Sequence, residues 1–213
     1  MTEPDVTLTD YGLAIECAAI ACLLWRGGSD GQSLRRWFAL FFGSVGVAAL
    51  TGGTVHGFFL DPETSGARIL WPATLLAVGI AALAAWAIGA RIQFSERVAR
   101  GVALAATVEW AGYALVVVAG TGAFAVAMLN YLPAALFLLS IFFLTYRRTR
   151  QRPVLIGTLG LAAMLLASAL QQGGIALHPV YFNHNALYHA IQAGALLMLF
   201  HGAQWFVRTR ARG

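Results

Sequence analysis

The sequence predicts an all-α membrane protein, a bundle of seven transmembrane helices, from three observations. Of its 213 residues, 59% are hydrophobic and only 11% are charged, whereas a soluble domain carries about a quarter charged residues. The apolar residues fall into seven runs, each close to the roughly 20 residues that span a bilayer as a helix. The arginines lie between these runs rather than on one face, so the net charge of +5 does not indicate nucleic-acid binding.

The seven runs predict a single domain that extends over the whole chain, residues 1–213. In chain order they cover residues 9–25, 37–60, 69–90, 101–120, 123–146, 153–177 and 184–207. Asp10 and Glu16 interrupt the first run, and we expect Thr9 or Asp10 to cap its helix. Small residues such as Gly46 and Gly53 let helix backbones approach closely, so we expect helix 2 inside the bundle.

The positions of the arginines predict the orientation of the bundle. Every second connection and the C-terminus are basic, with Arg26, Arg35, Arg36, Arg91, Arg97, Arg100, Arg147, Arg148, Arg150, Arg152, Arg208, Arg210 and Arg212. The alternate connections carry only Arg68. The positive-inside rule therefore places the C-terminus in the cytoplasm and the N-terminus outside, which requires an odd number of helices. We expect a multi-pass integral protein of a bacterial-type inner membrane or a plasma membrane, with the first helix kept as an anchor.

Polar side chains from five helices converge on the predicted outer half of the membrane. Such groups are costly in lipid and need partners or a wet cavity, so their convergence indicates a functional pocket. Histidines occur at positions 56, 184 and 189 of this half. The other residues that we expect to line the pocket are Glu16, Asn130, Tyr131, Gln172, Asn185, Tyr188 and Gln192.

One hypothesis for this pocket is a catalytic zinc site on His56, His184 and His189. Catalytic zinc takes three protein ligands and keeps one open position, and it lowers the pKa of bound water to about 7 for attack on an ester or amide. Asp61 or a buried carboxylate such as Glu109 would hold that water. Since His184 and His189 lie about 140° apart on an ideal helix, the site requires Asn183 to cap the helix and leave His184 outside it. The alternative is a hydrogen-bonded polar plug without metal.

Three further polar groups have two interpretations each. Glu109 is a proton-relay or substrate-binding carboxylate, or it makes an interhelical hydrogen bond. The same two alternatives apply to Glu16. His201, in the inner half of helix 7, is a packing or an interfacial histidine.

Seven helices, a histidine near the end of helix 2 and two histidines that open helix 7 resemble the seven-helix zinc hydrolase superfamily. This superfamily includes alkaline ceramidases and adiponectin-receptor-type proteins. The resemblance implies a membrane amide hydrolase with zinc on His56, in Thr-Gly-Gly-Thr-Val-His-Gly, and on His184 and His189, in Asn-His-Asn-Ala-Leu-Tyr-His. The chain has Gly52 where the family has serine, and four residues rather than three separate its helix-7 histidines.

The leading functional hypothesis is therefore a zinc-dependent hydrolase that acts on a lipid amide or ester, with membrane lipids as partners and no nucleic acid. The alternative is a non-enzymatic receptor, transporter or small-ligand binder that uses the same cavity. A haem carrier is a third class, but a carrier that crosses the bilayer needs ligands in both halves, and the inner half offers only His201. The absence of lysine excludes a Schiff base.

Overall fold

The computed structural model describes residues 1–26, 32–120 and 122–210. Over these ranges the chain is all-helical, and it forms seven helices that are each long and apolar enough to cross a bilayer. Their bounds are α1 Pro4–Trp25, α2 Gln32–Phe58, α3 Ser65–Gln93, α4 Glu96–Val118, α5 Phe124–Thr149, α6 Arg152–Gln172 and α7 His184–Arg210. The predicted number and order of helices are confirmed for the described residues, and Arg212 lies outside them.

Helix α1 begins at Pro4, five residues before the apolar run does. Proline suits the first turn of a helix because its missing N–H would have no partner there, and the acidic Asp5 favours the positive end of the helix dipole. The prediction that Thr9 or Asp10 caps the helix is wrong. Both residues lie in the second turn of α1, so their side chains project from a regular helix.

Helix α6 ends at Gln172, five residues earlier than predicted. Gly174 follows with a φ of +66°, a left-handed conformation that glycine adopts at little cost. The chain then makes a tight loop in which His178 and Phe182 pair through two backbone hydrogen bonds of 3.1 Å. The ring nitrogen Nδ1 of His178 accepts from the backbone N–H groups of Val180 and Tyr181, so this histidine stabilises the loop.

Six of the described helices form a closed ring, and the seventh packs outside it. Around the ring α1 contacts α2, α2 contacts α3, α3 contacts α5, α5 contacts α6, α6 contacts α7, and α7 returns to α1. Helix α4 packs mainly on α3, where the Tyr113 hydroxyl donates to the backbone oxygen of Leu75 at 2.9 Å. Helix α2, which we expected inside the bundle, is one of the ring helices and contacts α1, α3 and α7.

The two ends of the ring are filled differently. In the half that lies toward the arginines, the large side chains of Phe38, Phe41, Phe42 and Phe142 are completely buried and form a continuous core. Phe142 also stacks against Phe206 of α7, with ring centroids 4.9 Å apart. Close packing of these rings makes one half of the bundle solid.

The tightest contacts in the ring occur where a helix carries glycine. A Cβ atom on Gly160 of α6 would lie 2.5 Å from the backbone oxygen of Ala195 and 2.9 Å from the Cβ of Met198 on α7. Because the first neighbour is backbone, it cannot move aside as a flexible side chain would. This contact fixes the distance between α6 and α7.

We predict that Gly160→Ala destabilises the protein by about 1–3 kcal/mol, because the added methyl group separates two close-packed helices. The free energy of unfolding in detergent measures this effect. Gly194→Ala on α7 is the matched control, since a Cβ at that position meets nothing within 4 Å. We expect the control to gain up to about 1 kcal/mol from the higher helix propensity of alanine. Equal effects of the two substitutions would contradict the assigned contact.

Candidate functional site

A cavity of about 700 Å³ occupies the other half of the ring. It lies at the end of the bundle that carries the N-terminus of α1, and we call this end the cavity end. Each of the six ring helices contributes to its wall, whereas no described residue of α4 does. The volume lies in the range of small-molecule binding sites, which is about 300–1,000 Å³.

The wall of the cavity divides into an apolar part and a polar part. Aliphatic residues such as Val45, Val78 and Leu165 surround the deeper part, and α3 and α5 add the rings of Trp71 and Phe124. The polar side chains come from all six helices. They are Asp10, His56, Thr74, Tyr131, Ser168, Gln171, Gln172, His184, Asn185, Tyr188, His189 and Gln192.

The most buried charged group of the cavity is the Asp10 carboxylate, which belongs to a residue that is only 3% exposed. Its Oδ1 lies 3.2 Å from Nε2 of His189 on α7, and the other ring nitrogen of His189 lies 3.5 Å from the Thr9 hydroxyl. A Cβ atom on Gly53 of α2 would lie 2.6 Å from the Cβ of Asp10. Glycine at position 53 therefore lets α2 hold the carboxylate against the cavity.

A second carboxylate–imidazole pair lies nearer the cavity end of the bundle. Oε2 of Glu3, the residue before α1, is 2.5 Å from Nδ1 of His56 in the last turn of α2, and both side chains are partly exposed. The backbone N–H of Thr2 also donates to the oxygen of Gly57 at 3.0 Å. These contacts attach the start of α1 to the end of α2.

The start of α7 is positioned by a capped first turn, which was one of the two conditions for the zinc site. Oδ1 of Asn183 accepts from the backbone N–H groups of Asn185 and Ala186 at 2.9 and 3.1 Å. The Asn183 backbone N–H donates to Oδ2 of Asp5, which joins α7 to α1. The Asn185 side chain in turn accepts from Gln171 of α6 at 2.9 Å. The helix begins at His184 itself, so the condition that His184 lies outside it is not met.

Eight of the residues that we expected at the site line the cavity. They are the three histidines at positions 56, 184 and 189 together with Tyr131, Gln172, Asn185, Tyr188 and Gln192. The other four do not line it, and the structure places them in three different surroundings. They are Glu16, Asp61, Glu109 and Asn130.

Those four residues have other roles or positions. Asp61 lies in the exposed turn after α2, where its Oδ1 accepts from the backbone N–H of Glu63 at 2.9 Å. Glu109 of α4 accepts a hydrogen bond from Nδ2 of Asn130 on α5. This is the interhelical hydrogen bond that was one of the two interpretations of Glu109. The Glu16 side chain has a buried oxygen without a hydrogen-bond partner among the described residues. His201 is exposed on α7, away from the cavity.

The three cavity histidines do not form a zinc triad in this arrangement. No three histidine, cysteine, aspartate or glutamate side chains of the described residues are placed to share a metal ion. Nδ1 of His56 is paired with Glu3, and both ring nitrogens of His189 have polar neighbours. A metal at His189 would displace Asp10 or Thr9, so the residues do not fit a three-histidine zinc centre.

Sequence reasoning missed the central role of Asp10. The apolar run begins at position 9, and for this reason a charged residue at position 10 indicated a helix start. Pro4 followed by Asp5 was the available signal for an earlier start. With that start, Asp10 falls on the same face as the buried Leu13 and Cys17, at helical spacings of three and seven residues.

The fold and the cavity define the class of protein, a bundle of seven bilayer-length helices with a polar cavity at one end. The chain belongs to the DUF6962 family, a family of unknown function whose model matches residues 6–206. No curated protein and no solved structure matches the chain. The resemblance to the seven-helix zinc hydrolases thus has no support from relatives.

We predict that Asp10 and His189 are energetically coupled. Asp10→Ala or His189→Ala should each cost about 1–3 kcal/mol of unfolding free energy, because each leaves a buried polar partner unpaired. The double substitution should cost less than the sum by about 0.5–3 kcal/mol, as measured by chemical unfolding in detergent.

The exposed pair of Glu63 and Arg68, whose side chains are 76% and 64% exposed, is the matched control. The same alanine cycle at these positions should show a coupling of at most about 1 kcal/mol. Strict additivity at Asp10 and His189 would show that their contact contributes nothing to stability.

Proposed function

We propose that the protein is an integral membrane protein that binds a small molecule, with an apolar body and a polar group, in the cavity between its six ring helices. The observation that carries this proposal is the cavity itself. It has the volume of a ligand site, a largely apolar wall and a limited set of inward-facing polar groups, which is the usual composition of such sites.

The distribution of charge supports a position of the cavity in the outer half of the membrane. The arginines of the described residues, except Arg68, occur at the end of the bundle opposite the cavity. By the positive-inside rule that end faces the cytoplasm, so the cavity end faces the outside. Exposed leucine, isoleucine and valine side chains on every helix of the bundle, such as Ile15, Leu104 and Leu129, suit a surface in contact with lipid.

A binder is favoured over the zinc-dependent lipid hydrolase because no three histidine, cysteine, aspartate or glutamate side chains of the described residues are placed to share a metal ion. Glu3 occupies one ring nitrogen of His56, and Asp10 and Thr9 flank His189. Pairs of this kind satisfy polar groups and present a shaped polar wall, which a ligand-binding site requires. Neither residue proposed to hold a metal-bound water, Asp61 or Glu109, reaches the cavity.

We expect that filling the cavity abolishes binding of a water-soluble probe such as phenylbutanol. Ser168→Trp places an indole in the wall of the cavity, where it excludes the ligand. In detergent, phenylbutanol should raise the melting temperature of the unchanged protein but not that of the Ser168→Trp variant.

The matched control for this experiment is Ser140→Trp. Both serine hydroxyls donate to the backbone oxygen four residues earlier, but Ser140 is exposed on α5 and does not line the cavity. The control variant should respond to phenylbutanol as the unchanged protein does. A stabilisation of similar size in all three proteins would attribute the effect to the outer surface and contradict the proposal.

The orientation predicts which side of the membrane reacts with an impermeant maleimide. In a background with Cys17→Ala and Cys22→Ala, Glu63→Cys between α2 and α3 should be labelled in intact cells. Gln151→Cys between α5 and α6 should be labelled only after the membrane is permeabilised. The reverse pattern would invert the proposed topology.

A further inference from the structure

We infer that the cavity selects a ligand with a protonated amine, which binds at the Asp10 carboxylate. This inference rests on the proposed function and adds the chemical class of the ligand. Three features support it: the position of Asp10, the charges of the cavity wall and the aromatic side chains that line the same cavity.

The Asp10 carboxylate lies in the cavity wall with few polar neighbours to compensate its charge. Among the described residues, the ionisable group that lies beside it is the His189 imidazole, whose Nε2 is 3.2 Å from Oδ1. The other oxygen, Oδ2, packs close to Gly53 of α2, since a Cβ atom at that glycine would lie only 3.3 Å from it. A neutral imidazole at this position carries no positive charge to balance a carboxylate. Because Asp10 lines the cavity, an ammonium group that enters the cavity supplies both the opposite charge and N–H donors to this side chain.

The charges of the surrounding wall favour a cation over an anion. The sequence contains no lysine, and none of the described residues that line the cavity is an arginine. Glu3, paired with His56, adds a second carboxylate near the cavity end. An anionic ligand would therefore meet carboxylates without a permanent cation to balance its charge, which costs several kcal/mol in a partly desolvated site.

Aromatic side chains complete the environment of an organic cation. Trp71 of α3, Phe124 and Tyr131 of α5, and Tyr188 of α7 all line the same cavity. The faces of such rings attract cations, and their edges and the neighbouring aliphatic residues accept the apolar body of a ligand. A small inorganic cation would leave most of this apolar wall unused, so an amine with an apolar chain fits the cavity better.

Three probes with the same phenylbutyl body test the inference by their affinities for the full-length protein in detergent. They are phenylbutylamine, phenylbutanol and phenylpentanoate, which end in an ammonium, a hydroxyl and a carboxylate. We expect the amine to bind at least about tenfold more tightly than the alcohol, the gain from one hydrogen bond to a charged group. The carboxylate should bind most weakly.

The isosteric variant Asp10→Asn removes the charge and keeps the shape of the side chain. It should reduce the ratio of amine to alcohol affinity to about one. Asp61→Asn is the matched control, since it removes an equal charge from the same end of the molecule but outside the cavity. This control should keep the full preference for the amine.

The outcomes separate this inference from the proposed function. If none of the three probes binds the unchanged protein, the proposed ligand-binding function fails. If all bind but the alcohol or the carboxylate binds as tightly as the amine, the inference alone is overturned. A preference for the amine that survives in Asp10→Asn also overturns it. Should Asp10→Asn fail to fold, Asp10→Glu, which keeps the carboxylate, should preserve the preference for the amine, and its loss there would overturn the inference.

Discussion

The contact between Asp10 and His189 connects the first helix of the bundle to the last and thereby closes the ring. A charged carboxylate inside an apolar helix is costly in lipid, and burial against a partner on another helix offsets that cost. Gly53 makes the contact possible, because any larger residue there would push α1 away from α2. One acidic residue, one imidazole and one missing side chain thus determine both the closure of the ring and the polarity of the cavity.

The remaining polar contacts support this closure at the same end of the molecule. Glu3 attaches the start of α1 to α2 through His56, Asp5 attaches it to α7 through Asn183, and Gln171 joins α6 to α7 through Asn185. Each bond connects helix ends rather than helix centres. The result is a polar rim above an apolar interior, while the phenylalanine core at the opposite end keeps the helices at fixed distances.

The division of the bundle into a solid and a hollow half gives the cavity a fixed wall. Helices that pack through glycine at Gly160 have little freedom to collapse inward, since backbone meets backbone there. Helix α4 lies outside the ring, and a hydrogen bond from Asn130 of α5 to its Glu109 connects it to that helix. The polar groups at the cavity therefore come from the six ring helices, and they include the neighbouring side chains of Asp10 and His189.

The sequence by itself determined the seven helices and the end of the bundle at which polar groups gather. Apolar runs of bilayer length and basic connections are local properties of the chain, which is why positions such as His56, His189, Tyr188 and Gln192 could be assigned to one pocket. The sequence also indicated Asn183 as a possible cap of α7, because capping depends on neighbouring residues.

The tertiary structure alone decided which polar groups meet. Asp10 and His189 are 179 positions apart, and nothing in either segment indicates that α1 returns to α7. The same is true of Glu3 with His56, whose side chains meet at the cavity end of the bundle. Glu109 and Asn130 illustrate the opposite case. Their depth suggested a pocket, but Glu109 lies on α4 outside the ring, and Asn130 of α5 donates to Glu109 and does not line the cavity. Partners of polar groups in a helical bundle depend on how the helices pack, and that order is a property of the whole chain.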